Sequence, residues 1–184
     1  MRFIPLMVLM FAFLTTFAVA APGDGADRPL ETVDSVVLER YLGRWYEIAS
    51  YPAWFQKGCT ATAADYSRRE DGLISVVNSC RKGSLDGKVK RSTGRARVVD
   101  PGTNAKLKVS FFRPFWGDYW IIDLDPDYRW AVVGVPNRRY LWILSRTPQM
   151  DEAVYEAIVA RLAAKGYDPA RLIRTPQPRA GGSE

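Results

Sequence analysis

The chain has no histidine and two cysteines. Without an imidazole there is no Ser-His-Asp triad, no Cys-His pair and no histidine-bound metal, and two thiolates are too few for a cysteine-only zinc site. Neither a metal nor a cofactor is expected. Catalysis is then left to carboxylates, lysines, tyrosines and serines. Glu47, Tyr51 and Tyr119 are the candidates for an acid and a base acting on a bound molecule, although none falls in a recognised catalytic spacing. Glu47 also has a structural reading. A carboxylate turned into a core is costly unless paired, and a hydrogen bond to Tyr128 or a nearby arginine would satisfy it. What chemistry does not claim is left to binding.

The chain that must position these residues is 184 residues long, 47% hydrophobic and 25% charged, which suits one globular domain. The net charge is +6. The cations are scattered, and no nucleic-acid motif or amphipathic basic helix accompanies them, so a solvated surface is expected and nucleic acid is not. Arg2, the apolar run Phe3 to Ala20 and the small-x-small ending Ala18-Val19-Ala20 read as a secretory signal over 1–20, cut before Ala21. The rival reading is a membrane anchor, since the run approaches the span of a bilayer. A flexible leader over 21–29, a folded domain over 30–177 and a disordered tail over 178–184 complete the division. In an oxidising compartment Cys59 and Cys80 are expected to pair, the alternative being two buried thiols.

Runs rich in Val, Ile, Tyr, Phe and Trp predict eight strands: 44–51, 60–67, 73–80, 88–99, 105–113, 118–124, 129–135 and 140–146. Turn residues separate them, with Asp71-Gly72 the sharpest hairpin signal. A two-residue turn there would pair position 59 with 84, so a Cys59–Cys80 bond needs a bulge or a longer turn. Beyond Thr147-Pro148 the period changes. Val154, Tyr155, Ile158, Val159 and Leu162 form one stripe of a helix that Pro148 would start and Gly166 would stop. A short strand is expected at 171–175. Eight short antiparallel strands and one helix argue an all-β fold, an eight-stranded up-and-down β-barrel with the helix packed outside; a two-sheet sandwich is the alternative.

Three segments carry a resemblance. Gly43-Arg44-Trp45 opens the first strand, Asp125-Pro126-Asp127-Tyr128 joins the sixth to the seventh, and Arg146 ends the eighth. In this order and spacing they resemble the lipocalin signature. The fuller strings Gly43 to Gly58, Lys106 to Tyr128 and Tyr140 to Pro148 are similar to bacterial outer-membrane lipocalins and the apolipoprotein D group. The resemblance implies a fatty acid, lysophospholipid or similar lipid as ligand, and storage, transport or repair in a cell envelope. It also implies a rival, since a few relatives isomerise or de-epoxidise what they bind. Bacterial members often carry an anchoring cysteine just after the signal. This chain has none there, so a free periplasmic or secreted protein is expected, as monomer or homodimer.

In a closed meander Trp45 and Arg146 meet at one rim, where a guanidinium on the indole face would shut the barrel beside Gly43. Their role is then structural. If Arg146 faces Trp45, alternation turns Trp142 and Leu144 inward, and with them Glu47, Ala49 and Tyr51 of the first strand. The fifth strand contributes Leu107, Val109 and Phe111, and the seventh Ala131 and Val133. For the sixth, the resemblance selects Tyr119 and Ile121. The apolar lining fits a hydrophobic ligand, with Ala49 and Ala131 leaving space; side chains filling the barrel solid are the alternative. Pro52 to Lys57 and Phe112 to Gly117 should edge the open mouth, where their aromatics either touch a lipid surface transiently or fold over the cavity. A solid interior under such a rim would instead suit an envelope interaction module.

Overall fold

The computed structural model describes residues 28–179. The expected signal 1–20, leader residues 21–27 and tail residues 180–184 lie outside these. The predicted strands become β1 (Gly43–Ser50), β2 (Cys59–Arg68), β3 (Ile74–Lys82), β4 (Val89–Val98), β5 (Lys106–Ser110), β6 (Gly117–Leu124), β7 (Trp130–Gly134) and β8 (Leu141–Ser145). Each pairs antiparallel with the next, and β8 returns to β1. β1 also pairs with β2, from Gly43 opposite Tyr66 to Tyr46 opposite Ala63. The ribbon therefore closes into a barrel, which removes the sandwich alternative. A ninth strand, β9 (Ile173–Arg174), pairs with Ala49 and Ser50 beyond the stretch of β1 that β2 covers.

A four-residue helix, α1 (Leu38–Tyr41), lies before β1, and α2 (Glu152–Ala164) follows β8. Pro148 is not the first helical residue as expected. Asp151 caps α2 instead, its carboxylate accepting from the amides of Ala153 and Val154 at 2.9 and 3.3 Å. Gly166 does end the segment, at φ +77°.

Two apolar clusters divide the molecule. The inner one fills the barrel around Trp45, Leu107, Ile121, Ala131, Val133 and Leu144. The outer one joins Ile158 and Leu162 of α2 to Ile48, Val132, Leu141 and Ile143 on the barrel wall. Alternation assigns strand residues to one or the other only while register holds. In β1 it does not hold. Glu47 pairs with Leu144 and Ala49 with Ile143, so one extra residue is inserted. The bulge puts Ala49 and Tyr51, expected inside the barrel, into the outer cluster with α2.

Cys59 and Cys80 are bonded, with Cα atoms 5.5 Å apart. A longer turn and a bulge both occur, and together they bring Cys59 opposite Lys82, two residues from Cys80, so the bond runs diagonally across the pair. The hairpin turn spans the residues between Arg68 and Ile74, and a bulge lies between Thr60 and Ala63, where Ala61 has φ +47°.

Candidate functional site

The floor of the barrel is sealed by stacking and by backbone acceptors. The Arg146 guanidinium lies 3.8 Å from the centre of the Trp45 ring. It donates to the carbonyls of Arg44 at 2.9 Å, Arg40 at 2.5 Å and Tyr128 at 3.3 Å. Burial pulls its pKa down from the ordinary value, though a guanidinium remains charged. Such a stacked cation contributes roughly 1–2 kcal/mol. Gly43 sits at φ +91°, with the position of an added Cβ 3.4 Å from Arg146 Nη1. The Trp45 indole donates to the Tyr41 carbonyl at 2.8 Å, tying α1 beneath the barrel. The expected floor of Gly43, Trp45 and Arg146 is thus assembled, and α1 with Val36 completes it.

Nine of the expected lining residues share the inner cluster: Leu107, Val109, Phe111, Tyr119, Ile121, Ala131, Val133, Trp142 and Leu144. Burial grades along the axis. Near the floor Ile121, Ala131 and Val133 are fully covered. Val109, Phe111 and Trp142 are half-buried although they face inward. β2, β3 and β4 complete the wall with Tyr66, Ile74, Val76 and Ala96, of which Ile74 and Val76 alternate along β3.

Glu47 keeps its inward place, just before the bulge, but among the described residues neither Tyr128 nor an arginine pairs with it. Its carboxylate accepts from Gln56 Nε2 and Thr175 Oγ1 at 2.6 Å and from Ser50 Oγ at 3.0 Å. Gln56 in turn accepts from the Trp142 indole at 2.9 Å. Gln56 and Thr175 come from segments remote in sequence, so no spacing signalled them. Tyr128 instead accepts from the Val37 amide at 2.8 Å.

The three candidate acid–base residues are not brought together. Tyr51 lies outside the barrel and donates to the Asp168 carbonyl at 2.8 Å. Tyr119 shares hydroxyl hydrogen bonds with Tyr41 at 2.7 Å and Tyr66 at 3.0 Å. Burial pushes Tyr41 and Tyr119 well above the usual phenol value and Tyr66 to about 12, so this trio is neutral near pH 7.

The expected rim residues do edge the mouth. Phe112 and Phe115 are 79% and 75% exposed and Trp54 82%, so these three do not fold over the opening of the barrel. Trp116 differs: it turns onto the outer wall, beneath Arg95 and Arg97 at 5.2 and 4.6 Å.

Residues 36–177 match the family described as a lipocalin-like domain. Temperature-induced lipocalin-1 of Arabidopsis thaliana is 43% identical over 159 residues, 82% of this chain and 84% of that protein. Outer membrane lipoprotein Blc of Escherichia coli K12 is 39% identical over 178 residues, 97% and 99% of the two chains. Mouse apolipoprotein D is 32% identical over 186 residues, covering 93% and 96%. Among solved structures, insecticyanin of the tobacco hornworm superposes with a TM-score of 0.66 at 20% identity, over 82% of this chain and 85% of that one, a likeness of fold. The floor, the closed meander and these similarities agree: this chain belongs to the lipocalin family.

Proposed function

We propose that the protein binds an elongated hydrophobic molecule, of the fatty acid and lysophospholipid class, in the mouth-side half of its barrel. One observation carries this reading: Val109, Phe111 and Trp142 belong to the inner wall yet keep surface open to solvent above a sealed floor. An acyl chain laid along that wall would gain about 25 cal/mol for each Å² of apolar surface covered. By register, Asn78 and Ser92 share the inward face of Val76 and Gly94, nearer the mouth, and suit a polar head group. Family membership supports the same reading.

Binding without turnover fits the site. Tyr119 holds its proton, and the Glu47 carboxylate is already engaged by three donors. The disulfide and the relative named an outer membrane lipoprotein favour an extracytoplasmic setting in the cell envelope.

Displacement of a fluorescent fatty acid by oleate and by lysophosphatidylcholine tests the proposal, with micromolar affinity or better expected. Trp142→Ala should weaken binding about tenfold, the loss of part of one large apolar contact. No displacement by either lipid would overturn it.

A further inference from the structure

The two ends of the barrel differ in charge and in how that charge is used. At the floor, the loops over 69–73, 99–105 and 125–129 carry Arg69 and Arg129 against Glu70, Asp71, Asp100, Asp125 and Asp127. Both arginines there are held in ion pairs, Arg69 with Asp71 at 2.8 Å and Arg129 with Asp125 at 2.9 Å. At the mouth, the loops over 51–58, 83–88, 111–116 and 135–140 carry Lys57, Lys88, Arg113, Arg138 and Arg139 against Asp86 alone. Among the described residues, Lys57, Lys88, Arg113 and Arg139 make no ion pair with a carboxylate.

Between these cations stand the most exposed aromatics, Trp54, Phe112 and Phe115. They sit on two loops at opposite sides of the mouth, so they are tips and not a patch that another part of the chain covers. Outside the barrel, below Trp54, a groove of about 750 Å³ runs between the β7–β8 turn and the segment after α2. Tyr51 and Tyr140 wall it, and Arg139 and Arg171 border it together with Asp168, whose carboxylate is engaged by the Ala170 amide at 3.0 Å. Arg171 is stacked over Tyr51 at 4.3 Å and, like Arg139, makes no ion pair among the described residues. Arg138 is already committed, donating to the carbonyls of Lys165 and Arg28 at 2.7 and 2.6 Å.

Apolar tips ringed by uncompensated cations match one kind of partner, a surface with an acyl layer beneath anionic groups. We infer that the mouth docks face-down on an anionic lipid bilayer, with Trp54, Phe112 and Phe115 entering the interface and the groove at Arg139 and Arg171 taking a lipid phosphate. The opposite end, carrying more acids than bases in its loops, faces away. In this pose the opening of the barrel meets the membrane, so a lipid ligand passes without crossing water. The docking surface rests on the rim and not on the barrel lining, so it can hold whether or not the barrel takes an acyl chain.

Co-sedimentation with vesicles tests the inference. Binding to vesicles of phosphatidylcholine mixed with phosphatidylglycerol is expected, at least tenfold weaker on phosphatidylcholine alone, and weakening with salt. Each cation near an anionic surface is worth about fivefold, so Arg139→Glu with Arg171→Glu should reduce binding twentyfold or more. Phe112→Ser with Phe115→Ser should reduce it about tenfold by removing the apolar tips. All four positions are exposed, and an unchanged circular dichroism spectrum should accompany these losses. Equal binding to both vesicle types, or wild-type binding by the charge-reversed variant, would overturn the inference. So would saturable binding of inorganic phosphate by a protein retained on neither vesicle type, since the groove would then take a free anion. Fatty acid displacement measured on the same variants should be unchanged. Its failure in all proteins would remove the barrel reading while leaving the docking result to stand by itself.

Discussion

At the scale of the residue, Arg146 works by shape as much as by charge. Its planar fork covers the Trp45 ring while reaching three carbonyls on separate segments. A lysine ammonium is a point donor and cannot stack and span together. Arg146→Ala and Arg146→Lys should therefore both lower the unfolding free energy by about 2–4 kcal/mol. Urea titration checks this, and a lysine variant as stable as the native sequence would show that charge alone suffices. Asp125 makes a pH-dependent counterpart. The Arg129 guanidinium, aided by the amides of Arg129 and Asp127, holds its carboxyl below the ordinary value of 3.8. Ionised Asp125 thus contributes stability that is fully present above the unfolded-state value and is lost as pH falls through the lower native one. Asp125→Asn should be less stable than the native protein by about 1–3 kcal/mol at neutral pH. That gap should narrow only below about pH 4. Parallel urea midpoints across the whole acid range would refute the assignment.

At the scale of the element, the outer layer depends on close approach. A Cβ on Gly134 would lie 2.1 Å from Tyr167 Oη and 3.1 Å from its ring, where the segment after α2 rests on β7. Gly134→Ala should cost about 1–3 kcal/mol, read from a thermal melt, and should speed proteolysis after α2. The disulfide stitches β2 to β3 across a separation of 21 residues. In the chain-entropy account that is worth about 3 kcal/mol, so a Cys59→Ser, Cys80→Ser pair should unfold at correspondingly lower urea. The same scale shows why part of the site was legible. On β5, β7 and β8 the alternation runs unbroken through the positions used, so Leu107, Val109, Ala131, Val133, Trp142 and Leu144 face as read. On β6 the bulge falls after Ile121, beyond the residues assigned. On β1 it falls between Glu47 and Ala49, and nothing in Glu-Ile-Ala marks an inserted residue, so Ala49 and Tyr51 were misplaced. The helix start failed for a related reason. Proline and aspartate are both start signals, and the hydrogen-bonding carboxylate of Asp151 prevails over the fixed φ of Pro148.

At the scale of the whole molecule, closure is shared by strands and by the chain after α2. β2 accompanies β1 only as far as Tyr46. Above that the seam is bridged by the C-terminal segment. The Thr175 amide donates to the Ile48 carbonyl at 2.9 Å, and the Ala61 amide donates to Pro176 at 2.7 Å. Gln177 Nε2 reaches the carbonyls of Glu47 and Thr62, both at 2.8 Å. Thr175 Oγ1 also supports the Glu47 carboxylate, which orients Gln56 against the Trp142 indole. One strap therefore holds both the seam and the polar network beside the proposed ligand. A chain ending at Leu172 keeps the β-meander and the floor but loses these bonds. Five hydrogen bonds at about 1 kcal/mol each, with the pairing of β9 to Ala49 and Ser50 lost besides, predict a loss of at least about 3–5 kcal/mol, with faster hydrogen exchange at the Ala61 amide. Fatty acid affinity should fall as well, because Gln56 and Trp142 lose their common anchor. Trp45 and Arg146, at the opposite end, should keep their protection. A truncated protein that melted and bound like the full chain would mean that the strands close the barrel unaided.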